Sequence, residues 1–402
     1  MSGRVTSLLC LLICETLLWA QNPAMEQAWS LAAKGQRTEA AGVLRKILQR
    51  KPRNAEAHLF LGSLLAEEGV REEAIAQLTE AVRLRPKSSE AQNALGEAYN
   101  RFDDPKAARE CFEKAVVLNP KFGIAQSNLG AALLQAGESS AAASHLDQAI
   151  ALLGRSPDAA DAQYLRAKVY SAEGNYPKAA ACLEQAVALR SDFAEAWSDL
   201  GMARKATSND AGALLAFQRA VELNPKDGVA QYRLGAEYLR QDQPQLAVAP
   251  LQAAYAINPE DQSVLNSLQG ALRQTGHSEE AADMKRKLTE TLRKRDLQSQ
   301  NAIKAFKLNN EGAALEKAGN LPEALERYRQ ASALNPAHAG IRTNYAIALL
   351  RLGRWAEGLT ELHNALERDP NNPQLRAAWQ DALSQAPPNL IPAWAKLLEP
   401  HR

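Results

Sequence analysis

The sequence predicts an all-α solenoid of about ten antiparallel helix pairs, closed at its C-terminal end by a capping helix. Three observations predict this fold. Gly, Ala, Ala and Pro return in fixed order every 34 residues, Ala and Leu recur throughout while aromatic residues make up only 5%, and Gly or Pro stands near the expected helix ends. This composition favours close-packed helices over sheets, which prefer β-branched and aromatic side chains.

The N-terminal segment has the layout of an export signal. Arg4 precedes a mostly apolar run that ends at Ala20 and is too short to span a bilayer comfortably. Glu15 interrupts the run, and Leu18 is not the small residue preferred two positions before a terminal Ala. We expect a signal peptide at residues 1–20 and a periplasmic or secreted protein, with a retained N-terminal membrane anchor as the alternative.

The repeated frame has a physical explanation. Two successive copies are Gly62, Ala74, Ala81 and Pro86, followed by Gly96, Ala108, Ala115 and Pro120. The glycine and the first alanine are small because two antiparallel helices approach closely there. The proline ends the second helix because it cannot extend a helix and disfavours helical geometry in the preceding residue. One helix pair cannot bury both of its faces, so we expect neighbouring pairs to stack on a continuous core.

The frame resembles the tetratricopeptide repeat, and the resemblance covers nearly all of residues 21–372. Repeat starts, from which positions within a repeat are counted below, fall at Gln21, Ala55, Ser89, Gly123, Ala160, Ala194, Gly228, Gln262, Ala305 and Ala339. The resemblance implies a right-handed superhelix in which the first helix of each pair lines the concave side.

Departures from the frame divide the array. The eighth repeat has Gln269 in place of the glycine and Arg293 in place of the proline, and no Gly or Pro occurs between Ser278 and Asn310. We therefore expect a long helix that acts as a joint between two arrays. The predicted parts are eight repeats at residues 21–293, the last one degenerate, a helical basic joint at 294–304, and two further repeats at 305–372.

The C-terminal end predicts a cap. Asn372 and Pro373 have the form of an N-cap and a first helical residue. Trp379 belongs to an apolar face at helical spacing, so we expect a capping helix at residues 373–386. Prolines then mark an irregular tail at residues 387–402. Because such a cap covers the last repeat, we expect a monomer.

Motifs for catalysis or cofactor binding are missing from the sequence. The six histidines show no metal-ligand spacing, and no phosphate-binding loop, nucleophile elbow or His-Glu-x-x-His motif occurs. The 47 basic and 46 acidic residues give a net charge of +1, which provides no overall attraction to nucleic acid. We expect neither an enzyme nor a cofactor or metal site, and no nucleic-acid partner.

The binding surface is predicted from the family resemblance. In the family, positions 2, 5, 6, 9, 12 and 13 of the first helices face the concave groove. Asn, Arg and Tyr at such positions suit an extended peptide, because they offer backbone hydrogen bonds, bidentate carboxylate contacts and flat apolar faces. The candidate groove residues are Asn93, Arg101, Asn128, Tyr164, Lys168, Lys205, Tyr232, Arg233, Arg240, Arg273, Asn309, Asn310 and Asn344.

The predicted function is a binding scaffold for a protein or peptide segment. The alternative is an accessory module that positions a substrate for a separate enzyme, such as one acting on envelope glycans or polysaccharides. Residues 284–307 contain eight basic residues against Glu290 and Asp296. Such a helix is either a solvated connection, which we expect, or a contact to an anionic membrane surface, an acidic protein or nucleic acid.

Overall fold

The computed structural model describes residues 23–370 and 372–388, which form twenty α-helices and no strand. The predicted signal peptide and most of the predicted tail lie outside these residues. The chain divides into two compact units, Met1–Pro259 and Glu260–Arg402. The all-α repeat architecture predicted from the sequence is confirmed. No described helix combines the length and the apolar character that crossing a membrane requires.

Unit 1 contains seven antiparallel helix pairs, one for each of the first seven repeats. Its helices are α1 (Pro23–Ala33), α2 (Arg37–Arg50), α3 (Ala55–Glu67), α4 (Arg71–Leu84), α5 (Ser89–Arg101), α6 (Pro105–Leu118), α7 (Gly123–Gln135), α8 (Ser139–Leu153), α9 (Ala159–Ala172), α10 (Tyr176–Leu189), α11 (Ala194–Ala206), α12 (Asp210–Leu223), α13 (Gly228–Arg240) and α14 (Pro244–Ile257). Each second helix packs on its own first helix and on the first helix of the next repeat within the unit.

Unit 2 contains α15 (Gln262–Gln274), α16 (Ser278–Lys317), α17 (Leu321–Leu334), α18 (Ala339–Arg351), α19 (Trp355–Arg368) and α20 (Pro373–Gln385). The 40-residue helix α16 packs against α15 with its N-terminal part and against α17 with its C-terminal part. It therefore serves as the second helix of the eighth repeat and the first helix of the ninth. The eighth repeat belongs to unit 2 because this continuous helix ties it to the ninth, whereas the sequence placed the interruption at residues 294–304.

Helix starts follow the repeat frame. Seven of the ten predicted repeat starts coincide with the first residue of a helix, namely those of α3, α5, α7, α11, α13, α15 and α18. Several of these helices are preceded by a side chain that caps their free N–H groups: the Asn54 side chain accepts from the Ala57 N–H and Asp227 accepts from the Val229 and Ala230 N–H groups. The start predicted at Ala305 lies inside α16.

The close approach of paired helices is visible at the repeated glycine. A Cβ atom at Gly201 would lie 2.4 Å from Cε1 of Phe217, and one at Gly62 would lie 2.6 Å from Cγ of Leu78. The large residue of the second helix thus fills the space that the glycine leaves. Between repeats, the junction is built by small residues such as Ala196, which is fully buried against Leu183 of the preceding repeat.

A further link joins the start of a repeat to the turn before it. The side chain at the fourth position donates to the carbonyl oxygen six residues earlier. This contact is made by Gln126 to Pro120 at 2.9 Å, Gln231 to Pro225 at 3.0 Å and Trp197 to Ser191 at 3.0 Å. Because it joins the first helix of a repeat to the backbone just before that helix, this contact holds the turn between repeats.

The C-terminal helix α20 covers the last repeat. Its Trp379 is 1% exposed and packs in one cluster with Leu359 and Leu362 of α19. Asn372 caps the helix by accepting from the N–H groups of Gln374 and Leu375. The opposite side of α20 is polar, so the helix presents a solvated outer face at this end of unit 2.

Candidate functional site

The candidate site of unit 1 lies on the first helices of its repeats. We call the residues at positions 2, 5, 6, 9, 12 and 13 of these helices the first-helix face. In the third and fourth repeats this face is a hydrogen-bonded group of three residues. Asn128 Nδ2 donates to Asn93 Oδ1 at 2.9 Å and to Glu97 Oε1 at 3.0 Å. Asn93 Nδ2 also donates to Glu97 at 3.0 Å and is only 1% exposed. Asn93 therefore holds Asn128 in place and cannot itself contact a ligand.

The fifth, sixth and seventh repeats are joined by a second network. Arg233 Nη1 donates to Asp199 Oδ1 at 3.0 Å and to Ser198 Oγ at 2.7 Å. The Tyr164 hydroxyl lies beside the same Asp199 carboxylate. Burial raises the pKa of Tyr164, and the neighbouring Asp199 raises it further, so the phenol stays protonated. Asp199 thus joins three successive first helices through side chains that the sequence predicted for the groove.

Aromatic rings extend this network at the fifth repeat. The rings of Tyr164 and Phe193 have centroids 4.8 Å apart. Lys168 Nζ lies 5.7 Å from the Tyr164 centroid, and the Arg190 guanidinium lies 3.8 Å from that of Phe193. Both cations are held over ring faces, which carry partial negative charge. Tyr164 is therefore fixed on several sides, whereas Lys168 remains exposed.

At the C-terminal ends of the same helices, a buried carboxylate collects donors. The Glu237 side chain is fully buried, and it accepts from Arg240 and Gln241, with Lys205 Nζ at 4.0 Å. Burial alone would raise the pKa of Glu237. The hydrogen bonds from Arg240 and Gln241 and the charges of Arg240 and Lys205 outweigh it and hold the pKa below its usual range. Arg240 also pairs with Asp210 of α12.

Apolar side chains complete the first-helix face of the sixth and seventh repeats. Met202 is 42% exposed and Val229 is 56% exposed, at positions 9 and 2 of their repeats. Tyr232 is half-buried at position 5. Most acidic groups of this region already have basic partners within the scaffold, but Glu195 at position 2 of the sixth repeat is exposed and forms no ion pair with a described residue. The face therefore offers mainly apolar and aromatic contacts, together with the exposed ammonium group of Lys168 and the carboxylate of Glu195.

Unit 2 repeats the same geometry once. Asn344 Nδ2 donates to Asn309 Oδ1 at 2.9 Å, with the 35-residue separation that also links Asn128 to Asn93 and Arg233 to Ser198. The remaining predicted residues in this unit, Arg273 and Asn310, are exposed, as is Arg101 in unit 1. Arg273 and Asn310 belong to unit 2, whereas the networks of the fifth to seventh repeats belong to unit 1.

Three acceptors of these networks, Ser198, Asp199 and Glu237, were not among the predicted site residues. Their role depends on a donor in a neighbouring turn or repeat, which the residue type alone does not indicate. A donor at position 6 and an acceptor 35 residues earlier form the signal that would have found Ser198, as it links Arg233 to Ser198 and Asn128 to Asn93. Within the described residues, no group of three His, Cys, Asp or Glu side chains is placed to hold a metal ion.

Two family models described as tetratricopeptide repeat match the chain, one at residues 31–98 and 315–384 and the other at residues 101–160 and 164–228. Together they cover more than half of its length. The chain belongs to the tetratricopeptide repeat family. Tetratricopeptide repeats are protein-interaction scaffolds and typically have no catalytic function.

Individual relatives add detail to the family assignment. Protein FlbA of Caulobacter vibrioides is 29% identical over 188 residues, which make up 46% of this chain and 30% of FlbA. This tetratricopeptide repeat chain thus spans about a third of the curated relative that it matches. Among solved structures, pilF of Pseudomonas aeruginosa is 16% identical with a TM-score of 0.50, covering 54% of this chain and 98% of its own. A tetratricopeptide repeat protein of Parabacteroides merdae is 15% identical with a TM-score of 0.45, covering 62% and 98%.

Proposed function

We propose that this chain is a non-catalytic scaffold that binds an extended segment of a partner protein on the first-helix face of the fifth to seventh repeats. The observation that carries the proposal is the network of Tyr164, Asp199 and Arg233, which ties three first helices together. Because these side chains are already held in place, the scaffold loses little conformational freedom on binding.

The chemistry of the face defines the kind of segment. Met202 and Val229 are exposed apolar groups, and Tyr232 adds an aromatic ring with a polar tip. Arg233 and Lys205 lie close to carboxylates of the scaffold and are therefore less available to a carboxylate of a ligand. We therefore propose a segment that inserts apolar side chains at Met202 and Val229 and places a single acidic group near Lys168.

Site-specific crosslinking in the native cell tests this proposal. A photoreactive residue at Met202 is expected to capture a partner, whereas the same residue at Leu215 is not. Leu215 is a matched control because it is also exposed, at 64%, but lies on the second helix α12. The proposal fails if both positions capture the same proteins or if neither captures any.

The affinity of the captured segment for variants of the chain then measures how much the first-helix face contributes to binding. The double variant Met202→Glu, Val229→Glu is expected to weaken binding at least ten-fold, because two charges replace the apolar contacts. Leu215→Glu is expected to leave affinity unchanged. Circular dichroism of each variant serves as the folding control, and equal losses in both variants would speak against a localised site.

We also propose that the scaffold works outside the cytoplasm. The support is the pattern of residues 1–20, with Arg4 before an apolar run that ends at Ala20. Fusion of residues 1–30 to alkaline phosphatase, which is active only after export, tests the proposal. Activity is expected for the native segment and not for a variant with Leu11→Arg and Leu12→Arg, and an inactive native fusion would contradict export.

A further inference from the structure

The long helix α16 lacks the contacts that join neighbouring repeats elsewhere. Position 24 holds a buried large side chain in nine repeats, from Leu44 to Leu362, but the eighth repeat has the exposed Lys285. Position 3 is a buried apolar residue in the second to eighth and tenth repeats, whereas the ninth has the exposed Lys307. Position 7 of the ninth repeat is Glu311, where the tenth has Tyr345.

These substitutions leave one side of α16 open along its middle. Residues 292–300 are nine consecutive exposed residues, although they lie within one helix. In the first repeat, which starts the described array, position 3 is likewise exposed, at Pro23. The ninth repeat therefore has the polar upstream side of a repeat that begins an array. The open side of the ninth repeat is thus explained by its polar side chains, which do not require a preceding helix to pack against them.

Four cations lie along this open side. Lys285, Arg293, Lys304 and Lys307 fall within about 100° around the helix axis and span about 33 Å, given 3.6 residues per turn and 1.5 Å per residue. All four are exposed, and none forms an ion pair with any residue that the structure describes. Leu292 and Ile303, 47% and 71% exposed, lie along one edge of the same sector. We call these six residues the α16 strip.

We propose that the α16 strip binds an acidic amphipathic helix of a partner protein. Four unpaired cations favour an acidic partner, and the exposed Leu292 and Ile303 provide apolar contacts that a purely polar ligand would not use. The cations follow one another at intervals of 8, 11 and 3 residues, which keep them on one helix face. A second helix beside α16 has the same rise per residue and can therefore match these intervals.

Asp296 favours a protein over a membrane or a nucleic acid. It lies within the same sector and, among the residues that the structure describes, is hydrogen bonded to Gln300 alone. A uniformly anionic surface would be repelled there, whereas a protein helix can place one basic residue opposite Asp296. Ile303 and Leu292 are also about 16 Å apart with polar residues between them, so they cannot enter a bilayer as one apolar face. The α16 strip belongs to unit 2 and shares no residue with the first-helix face of unit 1.

A synthetic peptide provides the test with the full chain. The probe is a 26-residue helical peptide with glutamates matched to the four cations, leucines matched to Leu292 and Ile303, and one arginine matched to Asp296, prepared in both chain directions. We expect saturable binding by fluorescence anisotropy for one direction. Arg293→Glu with Lys304→Glu is expected to weaken it at least ten-fold, and Leu292→Ser with Ile303→Ser at least three-fold. The control Lys114→Glu with Lys121→Glu, which alters exposed residues of unit 1, is expected to have no effect.

A charge exchange at Asp296 separates the protein partner from a general polyanion. Changing the peptide arginine to glutamate adds negative charge, yet we expect it to weaken binding to the native chain. Asp296→Arg is expected to restore binding of that changed peptide. If the changed peptide binds the native chain more tightly, the proposal is wrong.

Binding measurements with two further ligands test whether the α16 strip instead binds a membrane or a nucleic acid. Phosphatidylcholine vesicles with one third phosphatidylserine, and a 20-base-pair DNA duplex, are measured with the native chain and with Arg293→Glu, Lys304→Glu. We expect weak binding that the variant changes less than it changes peptide binding. Tight binding to either ligand that the variant abolishes, or no binding of the peptide in either direction, would overturn the proposal. Because these side chains are exposed, the variants are expected to keep the native circular dichroism spectrum.

Discussion

The sixth repeat of unit 1 and the eighth repeat of unit 2 follow the same frame but differ in how their helices pack. In the sixth, Gly201 receives Phe217, and Ala196 lies buried against the preceding repeat. In the eighth, the corresponding glycine and large residue are Gln269 and Lys285. The frame therefore determines where helices begin and end, whereas the residues at a few positions determine whether a repeat packs closely on its neighbours.

Substitutions at position 3 are expected to give the largest difference in the free energy of unfolding between a packed and an open repeat. Ala196 is fully buried, so Ala196→Lys would bury an unpaired charge at a repeat junction and lower the free energy of unfolding by about 5 kcal/mol. Lys307 occupies the same position in the ninth repeat and is exposed, so Lys307→Ala is expected to change it by less than about 0.5 kcal/mol. Urea unfolding followed by circular dichroism measures both. Hydrogen exchange in α10 and α11 locates the damage, and similar effects at both sites would contradict the contrast.

Substitutions at position 24 are expected to give the next largest difference in the free energy of unfolding. Phe217 is fully buried beside Gly201, and Phe217→Ala is expected to cost about 3–5 kcal/mol because it removes contacts and leaves a cavity. Lys285→Ala changes an exposed side chain and is expected to stay within about 0.5 kcal/mol of the native value. The same urea series measures both variants. A large loss for Lys285→Ala would show that the eighth repeat depends on this side chain after all.

The buried carboxylate of the seventh repeat predicts a dependence on pH. Glu237→Gln keeps the shape of the side chain but removes the charge that Arg240 and Gln241 bind, at an expected cost of about 1.5–3 kcal/mol at pH 7. The pKa of Glu237 is lowered in the folded chain, so the charge stabilises the fold above the unfolded pKa of about 4.3. This contribution is lost as the pH falls through the folded pKa.

Unfolding of the native chain and the Glu237→Gln variant between pH 7 and pH 2.5 measures this effect. The difference between them is expected to be constant down to about pH 5 and to shrink below about pH 4.3. Glu195→Gln, at an exposed first-turn residue of α11, is the control and is expected to track the native chain. A difference that grows towards low pH would have the wrong sign for a carboxylate with a lowered pKa.

Much of the fold was predictable because the repeat frame records steric limits. Gly, Ala and Pro stand where helices approach or end, so the starts of α3, α5 and α13 could be read from the sequence. The left-handed turn residues were only partly predictable. Glycines such as Gly69 adopt positive φ, but Asp103, Ser208 and Asp242 take the same conformation at φ of 56–60° in repeats without a glycine there. Short polar residues can replace glycine at a turn, so the missing glycine is not a missing turn.

The candidate site was less predictable than the fold. The family register placed Tyr164 and Arg233 on the first-helix face, but their common partner Asp199 comes from another repeat. Contacts between repeats depend on side-chain conformations that a one-dimensional pattern does not contain. The register also included Asn93, although this residue is buried and only supports Asn128.

The smallest expected effect concerns the displaced glycine of the eighth repeat. Gly270 lies one position after the frame, which turns it about 100° around α15, and a Cβ atom there would meet nothing within 4 Å. Gly270→Ala is therefore expected to stabilise unit 2 by about 0.5–1 kcal/mol, because alanine is the better helix former. In Gly201→Ala, by contrast, the added methyl group would lie 2.4 Å from the Phe217 ring and is expected to cost about 1–3 kcal/mol. Urea midpoints of both variants measure the difference in sign. If both Gly270→Ala and Gly201→Ala stabilise the chain, the close approach of the two helices does not require glycine at position 201.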